Sequence, residues 1–318
     1  MKMKLFLISL LCIGLFSGCS QKKPTVAVTV YPIAYLVNRI AKDYVDVVTI
    51  TEDTFIQRAQ IKSNYEQILR KSDILYYIGG LEPYMTMYMD DIRSSKIETL
   101  DLATKSAIYK FERYTTTTVD NKMTGVGSAY YDGDVFSSID AYDNDPNLWM
   151  DPVAMTSMAS DIRDSLSTLY PEYKNIFEEN YNELELDLAR LDADFQSIPN
   201  DKKTVSFVSM TPSFGIWQKS YGMKVYPVSL SKYGVLPSNE QLAIIKKKIS
   251  SDHVRYMVME DNLSEDMIAL RNTLIDELGL IPVDLSNLST LSKEQQKAGR
   301  DYLSIMYDNL EVLEDIAY

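Results

Sequence analysis

From Thr25 to Val30 the chain runs Thr-Val-Ala-Val-Thr-Val, a β-branched and apolar stretch of the kind that fills a buried strand, and Tyr31-Pro32 ends it. Ile33, Leu36, Val37 and Ile40 then recur at steps of three and one, so Ile33 to Lys42 predicts a helix with one apolar face. Val45 to Ile50 predicts a second strand, Asn64 to Lys71 a second helix, and Asp73 to Ile78 a third strand closed by Gly79-Gly80. The second half repeats this grammar. Strands are expected at Thr204 to Ser209, Lys224 to Val228, Tyr256 to Glu260 and Ile281 to Leu285, with helices at Phe214 to Tyr221, Ser238 to Ser250 and Glu265 to Leu278 between them. A last helix, Gln295 to Ala317, carries Tyr302, Ile305, Met306, Leu310 and Leu313 as its apolar stripe. Strands alternating with helices in this way argue for an α/β fold of two parallel-sheet lobes, whose ligands sit beyond the carboxyl ends of the strands.

Two stretches break the alternation. Pro171 to Ser197 predicts a long helix of about 40 Å at 1.5 Å per residue. Phe177, Tyr181, Leu184, Leu188, Leu191 and Phe195 line one side of it, with Glu178, Glu179, Glu183, Glu185 and Asp187 mostly off the stripe. Set between the halves, it reads as one long rigid helix joining two lobes, with a ligand cleft between them. From Tyr114 to Asp145 the pattern dissolves into threonines, glycines and an acidic, tyrosine-rich run. That segment is expected to be a long, mobile acidic loop, without the spacing or closing glutamate of a calcium-binding loop.

The N-terminus sets the compartment. Lys2 and Lys4 precede an apolar run, Leu5 to Phe16, too short for a bilayer that needs about 20 residues, and the run stops at Gly18-Cys19. A small residue before cysteine at that point resembles a bacterial lipobox, so Cys19 is the expected lipidation site and Ser20 to Pro24 a polar tether to the membrane surface. Cys12 falls in the discarded segment, which leaves no thiol for disulfides, metal or catalysis. The expected layout is a lipoprotein signal peptide at 1–18, a tether at 19–24, a first lobe at 25–152 that includes the loop 113–145, a helical linker at 153–198 and a second lobe at 199–318. A formal charge of −13 supplies no basic stripe and argues against nucleic-acid binding. No Gly-rich phosphate loop, nucleophile elbow or zinc-protease helix occurs, and a hydrolase built on Asp145 and Asp151 is the weakest reading.

Five motifs then occur in order: Val28-Thr29-Val30-Tyr31-Pro32, Gly80-Leu81-Glu82-Pro83, Asp145-Pro146-Asn147-Leu148-Trp149-Met150-Asp151-Pro152, Phe214-Gly215 with Tyr221-Gly222-Met223, and Leu236 to Leu242. Together they resemble the metal-specific solute-binding lipoproteins of bacterial ABC transporters, the zinc, manganese and adhesin-type receptors, over nearly the whole chain from Val26. The resemblance implies a receptor that does no chemistry, anchored by lipid at the bacterial cell surface or in the periplasm. It would capture a small solute and deliver it to an ABC permease. A surface adhesin that has lost its solute is the alternative.

The resemblance also places the metal ligands, and here the chain departs from the family. The three ligand histidines fall on Gln57, Asn147 and Thr211, and the acidic ligand on Asp284, while Glu260 ends a strand on the cleft side. Tyr31, Tyr84 and Trp149 follow strand or motif ends and are candidates to line the cleft. The lone histidine, His253, lies away from every one of these positions. No cofactor is implied beyond a divalent cation, and neutral oxygens suit manganese sooner than zinc. The cleft is therefore expected either to hold a hard cation or to have changed to a small organic molecule or none, the loss of every imidazole pointing to a changed ligand more than a retuned one.

Overall fold

The computed structural model describes residues 23–318 apart from 53, 54, 120, 121 and 202, so the signal segment and Cys19 lie outside the described residues. In the first lobe, strands β1 (Thr25–Val28), β2 (Asp46–Thr49), β3 (Ile74–Tyr77) and β4 (Glu98–Asp101) form a parallel sheet in the order β2-β1-β3-β4. Helices α1 (Tyr31–Ala41), α2 (Tyr65–Lys71) and α3 (Pro83–Ser94) connect them. The face predicted for α1 is the one it buries, with Ile33, Leu36, Val37 and Ile40 in the core, and Pro32 sits in its first turn, where a missing N–H costs nothing.

Two strands that the pattern does not announce, β5 (Arg113–Val119) and β6 (Lys122–Ser128), pair antiparallel. The expected loop thus contains a hairpin, because Thr115 to Thr118 are β-branched and suit a pleated surface. Nor does this segment pack on the first lobe alone, where Tyr142 Oη donates to the Leu81 carbonyl at 3.1 Å. Tyr131 Oη donates to the Pro227 carbonyl at 2.8 Å, Gln241 Nε2 to the Val135 carbonyl at 2.7 Å, and Arg113 bonds Tyr226 Oη at 2.7 Å, all in the second lobe.

Helix α4 (Pro152–Leu169) leads through a 3₁₀ turn at Pro171–Tyr173 to α5 (Lys174–Phe195), followed by the short α6 (Ser197–Asn200). The long helix is therefore 22 residues and not the whole span from Pro171 to Ser197, since the chain tightens into 3₁₀ geometry at Pro171. Its predicted stripe is buried in full. The first part of α5 docks on α1, where Asn180 Nδ2 donates to the Ile40 carbonyl at 2.8 Å and Asp187 pairs with Arg39 at 2.8 Å. At its far end Phe195 packs on Trp217 and Tyr221, and Tyr221 Oη donates to Asp192 at 3.0 Å. One helix thereby touches both lobes.

The second lobe holds β7 (Ser206–Ser209), α7 (Ile216–Tyr221), β8 (Lys224–Pro227), α8 (Asn239–Ser251), β9 (Tyr256–Val258), α9 (Glu265–Leu278) and β10 (Ile281–Val283), then α10 (Lys293–Lys297) and α11 (Tyr302–Ile316). Its sheet is parallel in the order β8-β7-β9-β10, which is the order of the first lobe with each strand replaced by its counterpart. The residues after β1 and β7, and those after β3 and β9, are therefore equivalent places in the two lobes. No helix among the described residues is long and apolar enough to cross a membrane.

Candidate functional site

The chain leaves β7 into Thr211 and β9 into Glu260, and the fold brings these two together. Glu260 Oε1 accepts from the backbone N–H groups of Met210 at 2.7 Å and Thr211 at 3.0 Å, while Oε2 accepts from the Thr211 hydroxyl and from Asn287 Nδ2 at 3.3 Å. Burial pushes the Glu260 carboxyl up, and these donors pull it partly back. Thr211 Oγ1 also lies 2.8 Å from Ser213 Oγ, so its hydroxyl is already engaged.

Asn147 is 1% exposed, and both its backbone N–H and its Nδ2 donate to Asp145 Oδ1, at 3.0 and 2.9 Å. Asp145 is itself buried. That burial raises its carboxyl to about 6 against the pull of the Asn147 donors and the Ile216 N–H. Gly215 makes the approach possible, since a Cβ there would stand 2.5 Å from Asp145 Oδ2. The rest of the motif pins elements together. Trp149 Nε1 donates to the Asn287 carbonyl at 2.8 Å, Tyr302 Oη to the Trp149 carbonyl at 2.6 Å, and Trp217 Nε1 to the Met150 carbonyl at 2.8 Å. Asp151 caps α4 through Val153 N at 2.8 Å and takes a bond from Ser220 Oγ at 2.6 Å. A chain of contacts thus runs from Asn147 through Trp149 and Asn287 to Glu260 and Thr211.

Gln57 and Asp284 stand apart from that chain. Gln57, 4% exposed, lies on a 3₁₀ turn of the first lobe, Ile56–Arg58, against Gly234 of the second. Gly234 has φ +63°, and a Cβ there would come within 2.7 Å of the Phe55 ring, so the close approach needs glycine twice over. Arg58 latches the contact, giving its Nη2 to the Gly234 carbonyl at 2.6 Å and pairing with Asp266 at 3.0 Å. That guanidinium holds the Asp266 carboxyl down at about 2. Asp284, in contrast, is exposed; burial and then the Asp284 charge raise the Asp261 carboxyl beside it. His253 is exposed at the end of α8. Among the described residues no three histidine, cysteine, aspartate or glutamate side chains gather as a cation cluster.

The interlobe surface does contain a cavity, of about 150 Å³. Thr29, Tyr31, Thr51, Ile56 and Glu82 line it from the first lobe, and Ser289 to Leu291 from the second. Of the tyrosines and tryptophan expected at the cleft, Tyr31 lines it, Tyr84 is buried behind it with its hydroxyl 2.5 Å from Thr51 Oγ1, and Trp149 is part of the pinned motif. Glu82, Thr29, Asn287 and Ser289 are the residues that sequence reasoning missed. The signal for Glu82 was present in the Leu81-Glu82-Pro83 turn, which follows β3 as Glu260 follows β9.

Comparison with known proteins matches the chain over residues 26–316 to the family described as zinc-uptake complex component A, periplasmic (ZnuA). The chain is 27% identical over 318 residues to the zinc-binding lipoprotein AdcA of Streptococcus pneumoniae, a match that covers 98% of this chain and 60% of that protein. It therefore spans 60% of the length of that curated relative. Among solved structures, Zn(II)-bound AdcA from Streptococcus pneumoniae superposes with a TM-score of 0.68 at 24% identity, covering 92% of this chain and 57% of that one. The laminin-binding protein Lmb of Streptococcus agalactiae, described as having adhesin and metal-transporting activity, superposes with a TM-score of 0.72 at 20% identity, covering 92% and 99%. At these identities the superpositions show the shared two-lobed α/β fold.

Proposed function

The chain belongs to the ZnuA family of periplasmic zinc-uptake components, and on that premise we propose that it is an extracytoplasmic solute-binding receptor that captures a small solute between its lobes and passes it to an ABC permease. The observation that carries this reading is the interlobe cavity, where residues following β1, β2 and β3 meet Ser289 to Leu291. The role is capture and release, with no bond made or broken. The family's cargo is zinc by name, yet the donors of this chain do not suit that ion. Its single histidine is exposed and remote, the Asn147 amide is committed to Asp145, and the Thr211 hydroxyl to Glu260. Neutral oxygens beside the buried, already engaged carboxylates of Asp145 and Glu260 suit manganese sooner than borderline-soft zinc, and either only weakly.

Calorimetric titration of metal-stripped protein should therefore show no submicromolar zinc binding. A submicromolar zinc isotherm lost in Asn147→Ala would overturn that expectation, and submicromolar manganese binding lost in Glu260→Gln would establish the hard-cation branch.

Anchoring is the second part of the proposal. Cys19 is the acylated N-terminus and anchors the receptor to the membrane at the bacterial cell surface or in the periplasm, so a Cys19→Ser protein should be released into the soluble fraction. Mass spectrometry of the purified protein that found an unmodified N-terminus downstream of Cys19 would refute it.

A further inference from the structure

We propose that the interlobe cavity floored by Glu82 is a binding site for a small organic ammonium ion. Each lobe carries a threonine and a glutamate in the segments that follow corresponding strands. Thr29 follows β1 and Glu82 lies in the turn after β3, as Thr211 follows β7 and Glu260 follows β9. In the second lobe the pair is closed, Glu260 being satisfied by two backbone N–H groups, the Thr211 hydroxyl and Asn287. In the first lobe it is open. Glu82 is 3% exposed and Thr29 2%, and among the described residues neither Glu82 oxygen nor Thr29 Oγ1 has an aligned hydrogen-bond partner. A buried carboxylate whose near neighbours are only the Thr29 hydroxyl and its own backbone N–H is costly to charge unless it is neutralised or a cation reaches it. All three unpartnered atoms belong to residues that line the cavity.

The lining selects the ligand class. Among the described residues Glu82 and Glu52 are the carboxylates on the wall and no arginine or lysine lines it, so the wall favours a cation over an anion. A hard divalent cation wants six or more oxygens around it, whereas Val28, Val30, Ala34, Ile56 and Leu291 give this cavity apolar walls. An alkylammonium meets both demands. Its N–H donors would reach the Glu82 carboxylate and Thr29 Oγ1 once those buried atoms turn toward the cavity, and its hydrocarbon body would lie on the apolar wall, to which Tyr31 also contributes. At about 150 Å³ the cavity matches in size an engineered one that takes benzene, so the body is limited to about four to six carbons.

Burial sets the Glu82 carboxyl at about 7, with Thr29 drawing it down and Asp101 pushing it up. The other titratable groups around it are Glu52, on the same wall, and the Tyr84 and Tyr142 phenols, which feel the Glu82 charge. Binding of an ammonium ion should consequently strengthen as the pH rises toward 8 and Glu82 ionises.

The inference rests on the reading of this cavity as the receptor's solute site and names the class of solute it takes. Titration of the full protein with n-butylammonium at pH 8, followed by calorimetry and thermal shift, tests it, with n-butanol as the neutral isostere. Saturable n-butylammonium binding is expected, weakened at least about tenfold at pH 5.5, in Glu82→Gln, and for n-butanol. Ala34→Leu, which fills the cavity without touching the carboxylate, should abolish binding and guards against a folding defect in Glu82→Gln. Absence of saturable binding to the wild type overturns the proposal, as does binding that Glu82→Gln and Ala34→Leu leave unchanged. Displacement of n-butylammonium by equimolar magnesium or manganese would overturn the organic ligand in favour of an inorganic cation.

Discussion

Raising the pH from 5 to 8 should lower the melting temperature of the ligand-free protein, and Glu82→Gln should remove a large part of that loss. The folded-state pKa of Glu82 lies near 7 against an ordinary 4.5, because burial disfavours its charge. The folded state thus holds a proton that the unfolded chain gives up. The stability linked to that proton is fully present below about pH 4.5 and is lost as the pH rises through 7. Each unit of displacement is worth about 1.4 kcal/mol, so Glu82 alone accounts for roughly 3 kcal/mol across this window. Asp145, raised from 3.8 to about 6, and Glu260, raised by the same burial, act in the same sense. In a chain of this size 3 kcal/mol corresponds to a melting shift of about 5 °C. General repulsion in an acidic protein also grows with pH, so the difference between wild type and Glu82→Gln is the informative quantity. Parallel profiles for the two would show that Glu82 does not carry a raised pKa.

The alternation of β1, β2, β3 and their helices, and its repeat in the second half, are legible because burial on one face or in a sheet centre imposes a period on the residues. The same holds for the stripe of α5. Where burial is partial, the signal fades. Helix α3 buries only Tyr84, Met85 and Ile92 in its twelve residues, and β4 is an edge strand with exposed Glu98 and Thr99, so neither stands out in the sequence. The hairpin of β5 and β6 is hidden by glycines and threonines, and its docking on the second lobe is set by distant partners such as Tyr226 and Pro227 that no local pattern reveals.

The site was legible to a similar degree. Thr211 and Glu260 were both picked out, yet their bond depends on β7 and β9 being neighbours. Asp284 looked equivalent to them as an acid after a strand, but β10 is at the sheet edge and leaves it exposed. What makes Glu82 unusual is that among the described residues its buried carboxylate has no aligned hydrogen-bond partner, a property of packing that its sequence neighbours do not carry.

Leu188→Asp should destabilise the whole protein by about 4 kcal/mol or more. The residue is fully buried in the middle of α5, in the same core cluster as α1, α4 and α11. Truncating such a leucine costs roughly 2–5 kcal/mol, and an aspartate adds an unpaired buried charge to that loss. Leu186→Asp, two residues away on the same helix, provides the control. Leu186 is 58% exposed, so the same chemical change there should stay within about 0.5 kcal/mol. The comparison separates burial on the stripe from helix propensity, which both variants alter alike. Because α5 contacts α1 at one end and Trp217 and Tyr221 at the other, loss of its packing should loosen both lobes in a single transition. Thermal unfolding followed by both far-ultraviolet circular dichroism and tryptophan fluorescence reads this directly, since Trp149 and Trp217 are buried in the core cluster that α5 shares and report on the joint itself. If Leu188→Asp melted within a degree or two of the wild type, the helix would not be the element that holds the lobes at a fixed distance. If the two probes separated into distinct transitions in the wild type, the lobes would be free to hinge, and capture would proceed by wide closure and not by the small rearrangement that a rigid spine allows.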